Sequence, residues 1–250
     1  MDAIAIIRAE AQHFAEVLAA TDPDARCPTC PDWSASDLLW HLTSVHFFWA
    51  GVLGRDARTE SDLAAVEQSK PDRPGATPDL IALREQATEA LLDQLGRLDD
   101  AEPRWSWWPP DQTVGFTRRM QIHEATMHRV DAELAAGVPV SSIVPEVAAD
   151  AVNHAVEVMW GWPPDGSGYE PAAVIEFITT DVERRWLVEV GRSNYGPRAQ
   201  RATAGEPTAS VNAKVGDLAL WAWTRGGSVE ITGDDASVAA LDAVVTNGMP

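Results

Sequence analysis

The chain has 250 residues, 45% of them apolar and 23% charged, a mix that supports one or two packed globular domains. Its formal charge of −19 argues against a nucleic-acid binder or a protein held on anionic lipid, since both need clustered Lys and Arg. Apolar runs are short and interrupted, so no segment reads as a membrane span, and the start MDAIAIIRAEAQHF carries acids where a secretory signal has a basic stretch; a cytoplasmic location is expected.

In chain order, Ile4, Ile7, Ala11, Phe14 and Leu18 recur at spacings of three and four and predict an amphipathic helix near the start. Residues 21–31 break it with Pro, Asp and both cysteines. Ser34, with Asp37 three residues on, forms the signature of a capping box and opens a second helix to about Gly51. Its inward stripe is expected to be Leu38, His41, Leu42, Val45 and Phe48 or Trp49. Residues 54–76 read as a loop. Thr77-Pro78 starts a third helix, with Pro at its first position and Leu80, Leu83, Ala87, Leu91, Leu95 and Leu98 as its apolar stripe. The aromatic connection RWSWWPPDQTVG, residues 104–115, leads to a fourth helix from about Phe116 to Ala136, stopped at Gly137, and Pro145 begins another to about Trp160.

The stretch WGWPPDGSGYEP, residues 160–171, is dense in Gly and Pro and reads as a boundary. Beyond it come strand-like runs, AAVIEFITT, RRWLVEVG, ASVNAKV and SVEITGD. A helix-like GDLALWAWTR lies between the last two, and a closing helix runs from Ala236 to Val245. The fold class is therefore α+β: an antiparallel four-helix bundle over residues 1–162, then a small α/β domain over residues 163–250.

Two patterns bear on chemistry. Cys27 and Cys30 form a C-x-x-C, but a thioredoxin-type pair follows a strand and opens a helix, and a zinc knuckle needs two more compactly spaced ligands; the thiols read as incidental to a loop. The fourth helix carries MQIHEATMHRVDAE. It fails the zincin H-E-x-x-H, because residue 127 is Met. His123 and His128 are five apart and splay by roughly 140°, whereas Glu124 and His128 share one face, with Asp131 a turn further on. A metal held by that pair needs a third ligand from another helix. The candidates are His13, His41, His46 and His154, and His41 fits best because of its place on the expected inward stripe.

The stretches CPDWSASDLLWHLTSVHFFWAGVL and IHEATMHRVDAELAAG, in that order, resemble the mycothiol-dependent maleylpyruvate isomerase family, and ASVNAKVGDLALWAWTRGGSVEITGD is similar to its C-terminal domain. The resemblance implies a DinB-like helical domain that binds a divalent metal, usually zinc, and a C-terminal domain resembling sterol carrier proteins. Its metal ligands fall on His41, Glu124 and His128. Its Asp falls on Asp131, a candidate to orient a ligand imidazole, and its Arg on Arg225, a candidate anchor for a substrate carboxylate. Val130 stands where the family usually has Trp, and Cys27 where Val is common.

The resemblance implies an isomerase or S-transferase that uses mycothiol as thiol cosubstrate on a small electrophile such as maleylpyruvate. The thiol adds to the conjugated double bond, the new single bond rotates, and the thiol leaves. RWSWWPPDQ is a candidate lining for the polar pocket a sugar-bearing thiol needs. The alternatives are a metal-dependent hydrolase or other enzyme using metal-bound water, and a non-catalytic small-ligand-binding protein of the same fold. Partners are expected to be the small substrate and the thiol, on a monomer or homodimer.

Overall fold

The computed structural model describes residues 2–161 and 168–248. The expected boundary at 162/163, in the Gly/Pro-dense connection, lies outside the described residues. The chain divides into two compact units, Met1–Ser141 and Ser142–Pro250.

The first unit is helical. Helix α1 (Ala3–Ala19) is capped by the Asp2 side chain and buries Ile7, Ala11, Phe14, Ala15 and Leu18, the predicted stripe with Ile4 at its margin. A short hairpin follows, β1 (Arg26–Cys27) and β2 (Cys30–Ser34), where a loop was expected. Ser34 ends it and starts α2 (Ala35–Gly54) through the predicted capping box: Ser34 Oγ accepts from Asp37 N, and Asp37 Oδ2 accepts from Ser34 N. The side chains α2 buries include Leu38, Leu42, His46, Trp49 and Leu53. His41 and Val45 are half-buried, one step off the stripe predicted for them, because at about 100° per residue Leu38, Leu42, Trp49 and Leu53 define the apolar face.

The stretch read as a loop holds a turn of 3-10 helix at Glu60–Asp62, capped by Thr59, and α3 (Leu63–Gln68). Val66 is the only residue of α3 that is buried, and it seats on α2 against Gly51, where a Cβ would meet Val66 Cγ1 at 2.8 Å. Such a short helix depends on that single anchor, which hydrophobic periodicity cannot reveal. Helix α4 (Thr77–Arg97) and α5 (Val114–Ala135) complete the unit; α5 is capped by Thr113, and the chain leaves it through Gly137 in the left-handed region at φ +68°. Helices α1, α2, α4 and α5 pack on one another. Phe14, Leu18, Leu38, Leu39, Leu42, Leu80 and Ala132 form a common core that also encloses Cys27. Burial of each large apolar side chain there contributes about 1.5–3 kcal/mol.

One buried ionic cluster ties α5 to α1. Arg129, 2% exposed, donates Nε to Glu10 at 2.7 Å, and its Nη1 to Glu133 at 2.7 Å and to the Ser141 carbonyl at 2.9 Å. Every charge in it is met by a partner, as burial requires.

The second unit opens with α6 (Pro145–His154), which loosens into a π turn at Ala155–Met159. A five-stranded sheet follows: β3 (Glu170–Thr179), β4 (Arg185–Ser193), β5 (Gly196–Arg201), β6 (Ala209–Ala213) and β7 (Glu230–Gly233), in the order β5-β4-β3-β6-β7. The β3–β6 pair is parallel and the others are antiparallel. Alternate residues Ile175, Phe177, Trp186, Val188, Val190 and Val211 are buried, as on a sheet with one packed face. Helix α7 (Val215–Ala222) connects β6 to β7, and α8 (Asp235–Asn247) closes the chain and packs on β3, β4 and β5. The sequence reading groups the helix at Pro145 with the bundle. In the structure it packs on α7, and Trp223 Nε1 donates to the Ala151 carbonyl at 2.9 Å, which places it with the sheet. The architecture is α+β, helices first and sheet second, as expected. Among the described residues no helix is long and apolar enough to cross a membrane.

Candidate metal centre

Helices α2 and α5 bring three of the predicted residues together. His41 Nε2 and His128 Nε2 each lie 3.2 Å from the same Glu124 oxygen, Oε1. One ligand atom from each of His41, Glu124 and His128 falls within 4.8 Å of the other two. The spacing on α5 explains half of this, since residues four apart stack on one face. The other half follows from the packing of α2, whose buried face of Leu38, Leu42, Trp49 and Leu53 leaves His41 at its edge, against Glu124.

Behind His128, Asp131 is fully buried and its Oδ2 meets His128 Nδ1 at 2.9 Å. A carboxylate there accepts the Nδ1 proton and leaves Nε2 facing Glu124. Asp131 is fixed in turn by Thr29, in the β1–β2 turn, whose hydroxyl donates to Asp131 Oδ1 at 2.5 Å. The Trp33 indole lies over His41, ring centroids 4.5 Å apart, and His41 meets His128 edge-on at 4.7 Å. Access is graded: the side chains of His41, Glu124 and His128 are 31%, 25% and 9% exposed, so the cluster is open on the His41 side.

The electrostatics are those of a tightly coupled cluster. Burial works against charge on His128, but the Glu124 and Asp131 carboxylates outweigh it and raise its pKa to about 9. Burial works against charge on Glu124 too, and is outweighed by His128 and His41, which hold its carboxyl well below the usual carboxylate range. Two imidazole nitrogens and a carboxylate oxygen converging on one point, with a second carboxylate behind one imidazole, suit a divalent ion of the zinc type.

The other histidines have different partners. His46 is fully buried and its pKa falls to about 3, chiefly through burial. The Thr88 hydroxyl donates to the Arg84 carbonyl, so His46 Nδ1–H donates to Thr88 Oγ1, at 3.0 Å. His13 pairs with Glu133 at 3.0 Å, and His123 is 1% exposed and outside the cluster. His154, in the second unit, stacks on Trp223 with centroids 5.8 Å apart. Arg225 is also in the second unit, just after α7, where its Nη1 donates to the Trp223 carbonyl at 2.8 Å. The aromatic connection is packed in place: Trp105 stacks on Trp49 at 5.8 Å, Trp107 meets Phe116 at 5.7 Å, and Arg104 Nε donates to the Leu53 carbonyl at 3.1 Å. Val130 is fully buried in α5. Sequence reasoning missed Thr29 altogether, since a threonine in a turn carries no signal of a partner a hundred residues on. It also left Trp33 unassigned.

The first unit is thus a helical domain with an inward-facing cluster of two histidines and one carboxylate. The chain belongs to the mycothiol-dependent maleylpyruvate isomerase family: residues 4–133 match the family model described as mycothiol maleylpyruvate isomerase N-terminal domain. No curated protein matches the chain by sequence. Among solved structures it is similar to the crystal structure of the mycothiol-dependent maleylpyruvate isomerase, at 13% identity and a TM-score of 0.63, covering 94% of each chain. It is also similar to a histidine-to-alanine mutant of that enzyme, at 12% identity, a TM-score of 0.64 and 94% coverage of each chain. At these identities the likeness is one of fold.

Proposed function

We propose that this chain is a metal-dependent isomerase or S-transferase that uses a low-molecular-weight thiol, mycothiol by family, on a small electrophile such as maleylpyruvate. The observation that carries this reading is the convergence of His41 Nε2, His128 Nε2 and Glu124 Oε1 in a cluster that stays partly exposed. The helical unit is taken as a four-helix bundle of DinB type, and the sheet unit as a sterol-carrier-like domain.

In this reading His41, Glu124 and His128 hold a divalent ion, zinc being the ordinary choice for two imidazoles and a carboxylate. When bound, such an ion lowers the pKa of a thiol so that thiolate is available at neutral pH. Asp131 accepts the Nδ1 proton of His128 and keeps the ring in the tautomer whose Nε2 lone pair faces the site, and Thr29 keeps Asp131 in place. Trp33 shields one face of His41 from water. Arg225 is assigned, from the family resemblance, to hold a substrate carboxylate by its guanidinium.

Turnover of maleylpyruvate by the metal-loaded protein, with and without mycothiol, tests the reading. Turnover that requires the thiol supports it. Turnover indifferent to thiol would move the assignment to an enzyme using metal-bound water, a hydrolase if the products are those of cleavage by water. No turnover of any of a panel of electrophiles, with the metal in place, would leave a binding protein.

A further inference from the structure

The cysteines that the proposed chemistry leaves unused are not scattered in a loop. Cys27 and Cys30 are the only cysteines in the chain, and they face each other as a cross-strand pair at the end of the β1–β2 hairpin, joined by the turn Pro28-Thr29. Antiparallel partners have Cα atoms about 4.5–5.5 Å apart, inside the range a disulfide spans. Both are thiols in this structure.

Their surroundings differ. Cys27 is fully buried, packed among Phe14, Leu18, Leu38 and Ala132, with Sγ 3.3 Å from Thr29 Oγ1 and 3.9 Å from the Asp131 carbonyl. Cys30 is half-buried on the same hairpin and reaches solvent. Its thiol, and after it the Thr29 hydroxyl, lower the Cys27 pKa to about 6, against the opposing effect of burial. One thiol is therefore accessible, and the other, more acidic than an ordinary thiol, lies beside it out of solvent. A loop this short constrains the unfolded chain little, so a disulfide here would add little stability.

We propose that Cys27 and Cys30 form a redox-active dithiol that reacts by exchange with the disulfide of a low-molecular-weight thiol, Cys30 being the entry sulfur and Cys27 the resolving one. In the first step the Cys30 sulfur attacks one sulfur of RS–SR. The S–S bond breaks, one RS⁻ leaves, and the Cys30 proton goes with it as RSH. In the second step the Cys27 sulfur gives up its proton and attacks the Cys30 sulfur of the mixed disulfide, the Cys27–Cys30 bond forms, the Cys30–SR bond breaks, and the second RS⁻ leaves and takes up that proton as RSH. Two protein sulfurs are oxidised and RS–SR is reduced to two thiols, so no other oxidant is needed. The inference stands apart from the metal and thiol chemistry proposed above.

Incubation of the reduced full-length protein with oxidised glutathione, followed by acid quench, alkylation and intact mass, tests it. The expected result is joint loss of both thiols and of two hydrogens, with Cys27 linked to Cys30 in the peptide map, restored by dithiothreitol. Cys27→Ser should accumulate one glutathione on Cys30, whereas Cys30→Ser should stay unmodified because Cys27 is out of reach. Wild-type protein that keeps both thiols, or that stops at a stable glutathione adduct, overturns the proposal, and this measurement needs no variant to fold.

Discussion

His128 and Asp131 sit one turn apart on α5 and meet through Nδ1 and Oδ2 at 2.9 Å, with Asp131 fully buried and bound on its other oxygen by Thr29. A buried carboxylate in that position holds the buried His128 ring in one orientation and favours its charged form. It makes sense as the fixing of a ring whose other nitrogen has a task.

Replacing Asp131 with Asn exchanges a charged acceptor for a neutral amide of the same shape. Affinity for zinc, read by competition with a chromogenic chelator, is expected to fall about 10–100-fold. Circular dichroism should show the helices intact. His123→Gln, which alters a buried histidine outside the cluster, should keep the metal.

The metal-free protein should lose stability at mildly alkaline pH. His128 is raised from 6.5 to about 9 on folding, so its contribution is complete below 6.5 and is lost as pH rises towards 9. Glu124 is shifted the other way: its contribution is complete above 4.5 and is lost as pH falls through its depressed folded value. A bound ion needs His128 Nε2 free of its proton, so the gain in Tm on adding zinc should grow between pH 6.5 and 9. Thermal scans of chelated and zinc-loaded protein across that window check it; a gain that shrinks with pH contradicts it.

Arg129→Ala removes the cation that Glu10 and the buried Glu133 share. The expected cost is about 3–5 kcal/mol, because a carboxylate is left buried without its partner. Denaturant unfolding of the variant should show it. A replacement of Arg129, Glu10 and Glu133 together by apolar residues should cost less.

Ser34→Ala removes one half of the capping box that starts α2. The expected loss is about 1 kcal/mol. Because fraying of the first turns of α2 loosens the segment that carries His41, zinc affinity should weaken as well, whereas a cap lost from α8, at Asp234, should leave it unchanged.

Much of this was legible from residues alone, for physical reasons. The stripe of α1, most of that of α4 (Leu80, Ala87, Leu91 and Leu95 are buried, Leu83 and Leu98 half-buried) and the Ser34 cap are local signals, and local signals survive folding. Glu124 and His128 were paired by helical geometry. His41 was the best of four histidines by its expected place on the inward stripe, though α2 turns it to the edge of that face, where a ligand must be to remain accessible. The missed elements lack local signals. The hairpin at Arg26–Ser34 contains two prolines, and β5, GPRAQR, is a polar edge strand that takes its structure from β4. The partner of Thr29 and the facing of Cys27 and Cys30 are products of that hairpin, so the C-x-x-C spacing alone did not reveal them. The helix at Pro145 carries a good amphipathic pattern, but a pattern does not say which neighbour it serves.

Metal content of the protein purified after metal-replete expression, set beside that of His41→Ala and His128→Ala, bears most directly on the cluster. About one equivalent of zinc or a similar divalent ion per chain in the wild type, and close to none in either variant, is the expected result. Wild-type protein without metal, or variants that retain a full equivalent, would show that His41, Glu124 and His128 do not hold one.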